Sequence, residues 1–168
     1  MAEVTTAMIK ELREATGAGI MDAKRALDSA SGDMKKATEA IRELGMARAE
    51  KRSDRETSQG LLEAYIHQNR IGVLVELNCE TDFVANTADF KQLARDIAMQ
   101  IAAMDPKVTS VEDRTPELEG FPDAEVVLMA QPFIKDSGRT IADLCKDVIS
   151  RTGENVRVRR FARFQLGS

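Results

Sequence analysis

A chain of 168 residues, 43% apolar and 31% charged, is long enough for one domain or for a small domain beside a medium one, with the composition of a soluble globular protein. No run of about 18 uncharged apolar residues occurs, which excludes a membrane-spanning helix. The opening MAEVTTAMIKELREATG mixes both charges, unlike a secretory signal or an Arg-rich transit peptide, so a cytoplasmic location is expected.

The net charge of −4 is unevenly spread. Residues 1–56 balance 11 basic against 11 acidic side chains, residues 57–149 hold 8 against 16, and residues 150–168 hold 5 arginines against 1 glutamate. The acidic middle argues against a nucleic-acid groove, which needs contiguous basic surface.

In chain order, Val4, Met8 and Leu12 recur at helical spacing, with Ile9 widening the stripe and Thr5 or Thr6 as a cap. Thr16 to Gly19, TGAG, stops this helix. Ile20, Ala23 and Leu27 form a second stripe, which places Ile20 on a buried face, and Ser31-Gly32 ends it. Asp33 caps a third helix bearing Met34, Ala37, Ile41 and Leu44 and closing near Gly45. The expected organisation is a three-helix bundle over residues 1–45 and a linker over 46–59. In the linker Arg48, Lys51, Arg52 and Arg55 alternate with Glu50, Asp54 and Glu56.

From Gly60 the apolar period changes to two, predicting strands over 61–66 and 71–78 around His67-Gln68-Asn69-Arg70, an antiparallel hairpin. After ETDFVAN (Glu80 to Asn86) a helix is marked by Phe90, Leu93, Ile97, Ile101 and Met104 and ended by Asp105-Pro106. Residues 107–122 read as loop, and Asp123 to Ala130 as a short helix halted by Pro132. Thr140 with Asp143 starts another helix, with Ile141, Leu144, Cys145, Val148 and Ile149 inward, broken by Gly153. The closing VRVRRFARFQL alternates: Val156, Val158, Ala162, Phe164 and Leu166 point one way, and Arg157, Arg159, Phe161 and Arg163 the other. Residues 60–168 therefore form an α+β core, a small three-stranded, mainly antiparallel sheet packed with helices.

Few residues carry chemistry. Cys79 and Cys145 lie 66 positions apart with no CxxC companion, and His67 is the only histidine, so neither a metal site nor a cofactor is expected. TGAG joins two helices and lacks the spacing of a phosphate loop. Glu80 and Asp82, at i and i+2 beside a turn, suit capping better than acid-base work, and no nucleophile has a base. ETDFVAN leaves two readings open: Phe83 as a core residue, with Asp82 or Thr81 satisfying backbone donors, or a carboxylate and an aromatic held out as an anchor for a partner. The arginines of the last strand serve either as a charged edge or as RNA contacts.

LREATGAGIMDAKRAL (Leu12 to Leu27) and ELNCETDFVAN (Glu76 to Asn86) resemble the elongation factor Ts family, the guanine nucleotide exchange factors of elongation factor Tu. QPFIKDSGRTIADLCKDVI (Gln131 to Ile149) and GENVRVRRFARFQLG (Gly153 to Gly167) are similar to the family's end, so the likeness covers nearly the whole chain. The resemblance implies a bundle similar to ubiquitin-associated domains, a linker and an α+β core that also dimerises. It implies translation elongation by exchange without an enzymatic step. Asp82 and Phe83, flanked by Thr81 and Val84, would meet elongation factor Tu and displace its Mg²⁺ and phosphate-binding elements, with Thr81 and Glu80 shaping the corner. Arg13, Ile20 and Met21 of the bundle would touch the partner's GTPase domain.

Longer members carry two core copies where this chain has one sheet-forming unit, and the resemblance to short members implies a homodimer, with His67 of the second chain as a further contact. A basic pair of the longer members is matched here only by Arg95 and Asp96. Two other readings stand beside this: an adaptor whose bundle binds a helix or a ubiquitin-like surface, and a small RNA-binding protein.

Overall fold

A computed structural model describes residues 4–51 and 54–168; Arg52, placed above in the linker, and Ser53 lie outside the described residues, as do residues 1–3 of the opening segment. The chain divides into two compact units, Met1–Arg55 with Ile149–Asn155, and Glu56–Val148 with Val156–Ser168.

In the first unit, helix α1 (Thr6–Thr16) starts under Thr5, whose Oγ1 accepts the Met8 N–H at 3.3 Å. It ends at Gly17, whose φ of 71° is left-handed and whose N–H reaches the Arg13 carbonyl. Helix α2 spans Ile20–Ser29 and helix α3 Met34–Glu50, with Asp33 accepting the N–H groups of Lys35 and Lys36 at 3.0 and 3.1 Å. Leu12, Ala23, Ala26, Leu27, Ala37 and Ile41 form the core, with Val4, Met8, Ile9 and Met34 packed around it.

Two expectations from spacing fail here. Ile20 does not join the buried stripe; it is the first residue of α2 and is 57% exposed, because Ala23, Ala26 and Leu27 occupy that helix's inner face. Helix α3 does not close near Gly45 but runs five residues further. A Cβ on Gly45 would sit 2.5 Å from Ser150 Oγ and 2.6 Å from its backbone, so the glycine permits close packing and does not stop the helix.

In the second unit, β1 (Gln59–His67), β2 (Ile71–Cys79) and β5 (Val156–Gln165) make an antiparallel sheet in the order β1-β2-β5. Gln68 and Asn69, with φ of 49° and 57°, and the Arg70 N–H to His67 carbonyl bond close the hairpin in the left-handed geometry that suits strand twist. After the one-turn helix α4 (Asp82–Ala85), helix α5 (Ala88–Met104) lies across β1 and β2, burying Phe90, Leu93, Ile97 and Ile101. Met104 stays exposed.

The helix expected over Asp123 to Ala130 splits into α6 (Asp123–Val126) and a 3₁₀ turn at Leu128–Ala130, followed by an unforeseen two-stranded ladder, β3 (Pro132–Phe133) and β4 (Asp136–Thr140). A buried amide network explains this. The Gln100 side chain donates to Gln131 Oε1 and the Pro132 carbonyl and accepts the Ile134 N–H, while Gln131 donates to the Glu125 carbonyl. These bonds satisfy backbone groups of an irregular segment that a helix would have paired internally. Helix α7 (Ile141–Thr152) begins with a reciprocal cap, Thr140 N–H to the Asp143 carboxylate and Asp143 N–H to Thr140 Oγ1.

Strict alternation in β5 also fails. The register steps from Arg160 opposite Glu76 to Val158 opposite Leu77, so a bulge absorbs one residue. Val156 and Val158 are buried, but beyond the bulge Phe161 and Arg163 take the helix side while Ala162 and Phe164 turn outward. Arg163 there donates to the Ala102 carbonyl and pairs with Asp105 at the end of α5.

Both cysteines are buried, and burial pushes the Cys145 thiol up to about 12. A maleimide at mildly alkaline pH is expected to label neither in the native protein and both after denaturation; labelling of native protein, read by mass, would show that one is accessible. No helix among the described residues is long and apolar enough to cross a membrane.

Candidate functional site

The stretch after β2 is built to hold two side chains away from the fold. Thr81 leaves the strand in extended backbone (φ −126°, ψ 152°) and its Oγ1 accepts the Val84 N–H at 3.3 Å, starting α4. Its carbonyl receives the Cys79 thiol, the Asn86 side chain donates to the Asp82 carbonyl, and Thr87 donates to the Val84 carbonyl while capping α5 through the Phe90 N–H. The Val84 N–H and the Thr81, Asp82 and Val84 carbonyls of this one helical turn are thereby held by side chains from both ends. Val84 and Ala85 point into the core, whereas Asp82 is exposed and Phe83 is 80% exposed. A six-carbon ring left in water on a turn contributes little packing to this chain.

The stretch expected to bind a partner is therefore divided. Asp82 and Phe83 face solvent, Thr81 ties the turn, and Val84 is buried beneath it.

The bundle carries a second pair of presented apolar groups. Ile20 and Met21, the first two residues of α2, are 57% and 59% exposed, and Arg13 lies exposed on α1 with its Nε donating to the Ala18 carbonyl. Asp22 follows in the same turn and receives Arg48 Nη1 and Nη2 at 2.8 and 3.2 Å. Those hydrogen bonds hold the Asp22 carboxyl below the usual carboxylate range, and the charges of Arg48 and Arg25 act in the same direction.

His67 closes β1, exposed, with its ring stacked on Tyr65 and its Nδ1 3.2 Å from the Tyr65 hydroxyl. Arg95 and Asp96 are both engaged, with Glu63 and Lys135. Among the described residues, no three His, Cys, Asp or Glu side chains gather as metal ligands would.

Spacing did not foresee the outward sheet face, where Leu62, Ile66, Leu74 and Phe164 are exposed and aligned across three strands. The adjacent Arg159-Arg160 was its signal, since unbroken alternation would have put Arg160 among the buried valines. Arg160 instead pairs outward with Glu76 at 2.7 Å and lowers that carboxyl.

Exposed apolar side chains at the starts of two helices, together with an apolar sheet face, mark the surface of this α+β protein. A family model described as "Elongation factor TS" matches residues 2–119. Elongation factor Ts of Carboxydothermus hydrogenoformans is 48% identical over 98% of this chain and 89% of its own length. The factor of Desulforamulus reducens is 45% identical over 99% and 91%, and that of Coprothermobacter proteolyticus 44% over 98% and 99%. The chain belongs to the elongation factor Ts family. These alignments run over 194 to 197 positions against 168 residues, so the relatives carry stretches without a counterpart here.

Proposed function

We propose that this protein is a guanine nucleotide exchange factor that binds elongation factor Tu and promotes GDP release by displacing its Mg²⁺ and phosphate-binding elements, without an enzymatic step. The observation that carries the reading is Phe83, 80% exposed beside Asp82 on a turn whose backbone is tied at both ends. A rigid aromatic enters a partner's pocket with little entropy to lose. If its contact forms fully only when the nucleotide-site loops are displaced, factor and GDP weaken each other's binding by one common coupling free energy. Exchange then accelerates because GDP departs from a ternary complex less stable than either binary one. Ile20 and Met21, with Arg13, supply a second attachment that anchors the factor independently of the wedge.

The same reading includes a homodimer. Leu62, Ile66, Leu74 and Phe164 form an apolar patch on an otherwise solvated sheet, and sheets of this kind pack face to face. One chain then offers Asp82 and Phe83 while its copy offers His67.

The test is release of fluorescent GDP from elongation factor Tu on addition of excess unlabelled nucleotide. Micromolar protein is expected to raise the release rate by orders of magnitude, in a saturable manner; an unchanged rate at any concentration would remove the exchange reading and leave the adaptor.

A further inference from the structure

The start of α2 has no side-chain cap. Its N-cap is Gly19, which offers no side-chain acceptor, and the N–H groups of a first helical turn have no partner within the helix. Among the described residues, the first turn is also where the two most exposed large apolar side chains of the bundle sit, Ile20 and Met21. What meets this turn is a residue 26 positions away. Arg48, in the last turn of α3, reaches back in a two-pronged grip on both oxygens of Asp22. A guanidinium fork fixes direction as well as distance, which a single ammonium contact does not. Asp22 also places negative charge where the helix dipole favours it. Helix α3 reaches Arg48 only because it passes through Gly45 without stopping, so the extra turn and a half has a use.

We propose that Arg48 is a positioning residue for partner docking: by gripping Asp22 it locks the uncapped first turn of α2 and so fixes the surface that Ile20 and Met21 present. This rests on the proposed exchange function for its consequence, though not for its structural premise. Arg48 is half exposed, and exposed pairs add little to global stability, so the grip acts on local order more than on whether the bundle folds.

Two readouts on the full chain separate the premise from the consequence. In the free protein, amide hydrogen exchange at Ala23 and Lys24, the first amides of α2 that a helical bond protects, is expected to quicken roughly tenfold in Arg48→Met and in Asp22→Asn, with amides of α1 unchanged and the melting temperature held. With elongation factor Tu, Arg48→Met is expected to raise the factor concentration giving half-maximal GDP release about five- to tenfold, leaving the maximal rate within about twofold. Arg48→Lys, which keeps the charge but loses the fork, should fall between. Unchanged exchange at Ala23 and Lys24 in Arg48→Met overturns the proposal, as does a changed maximal rate with an unchanged half-maximal concentration. If the unaltered protein fails to release GDP at all, the exchange reading falls, and the amide measurement alone decides whether Arg48 orders α2.

Discussion

Phe83→Ala is expected to remove nearly all acceleration of GDP release while leaving the melting temperature within about a degree. The ring is 80% exposed, so truncation strips little packing, and substitutions at such sites shift stability by no more than about 0.5 kcal/mol. The backbone stays in place because Thr81, Asn86 and Thr87 hold the turn and Val84 and Ala85 pin it from beneath, none of which depends on the ring. A central aromatic anchor is worth about 2–4 kcal/mol at an interface, which predicts a loss of roughly 30- to 1000-fold in the second-order rate of release. Stopped-flow GDP release and thermal melts on the same samples check both halves. A fall of about 3 kcal/mol in stability, as for a buried phenylalanine, would return Phe83 to the core. Activity within twofold of the unaltered protein would leave the ring without a part in exchange.

Sequence patterns carried the elements far better than the faces. Helix starts were legible because their signals are local: Thr5, Asp33 and the Thr140-Asp143 pair cap where a hydroxyl or carboxylate precedes an apolar stripe. The hairpin was legible because two β-rich runs, 61–66 and 71–78, flank the turn residues His67 to Arg70, and both lie within the observed strands. What spacing missed depended on groups distant in the chain. Ile20 matched a buried stripe by period alone, but whether the first residue of a helix is covered depends on what lies opposite, and Ile20 is left 57% exposed. Gly45 reads as a terminator in isolation and as a close-packing residue once Ser150 is beside it. The buried Gln100–Gln131 pair, 31 positions apart, shapes the segment before β3 with no local trace. Phe83 is the instructive case, since residue type alone left core and surface both open; the tied turn around it, with Val84 inward, resolves its exposure.

Phe164→Asp is expected to convert a dimer of twice the 18.5 kDa chain mass into monomer. Phe164 lies opposite Gly72, which lies opposite Ile66, and the next outward row is Ala64, Leu74 and Ala162. With glycine and alanine between them, the large side chains stand above a shallow floor, a surface that a second copy can fill by interdigitation. In a two-fold pair each side chain is buried twice, once per copy. Burial of Leu62, Ile66, Leu74 and Phe164 from both chains, at up to about 1.5–3 kcal/mol each for a fully exposed side chain, is of the same order as an association cost of about 4–15 kcal/mol. Because Phe164 is 74% exposed in the single chain, aspartate there costs the monomer little. In the dimer it places two uncompensated carboxylates in a closed apolar layer, at several kcal/mol per ion, which shifts the dissociation constant by at least about a thousandfold. Sedimentation at tens of micromolar decides the matter. A monomer from the unaltered protein, or a dimer that survives Phe164→Asp, would sink the paired-sheet arrangement. The exchange assay adds a further discrimination: if the copy supplies His67, monomeric Phe164→Asp keeps Asp82 and Phe83 yet releases GDP more slowly. His67→Ala should then weaken the unaltered dimer's activity and leave that of the monomeric variant unchanged.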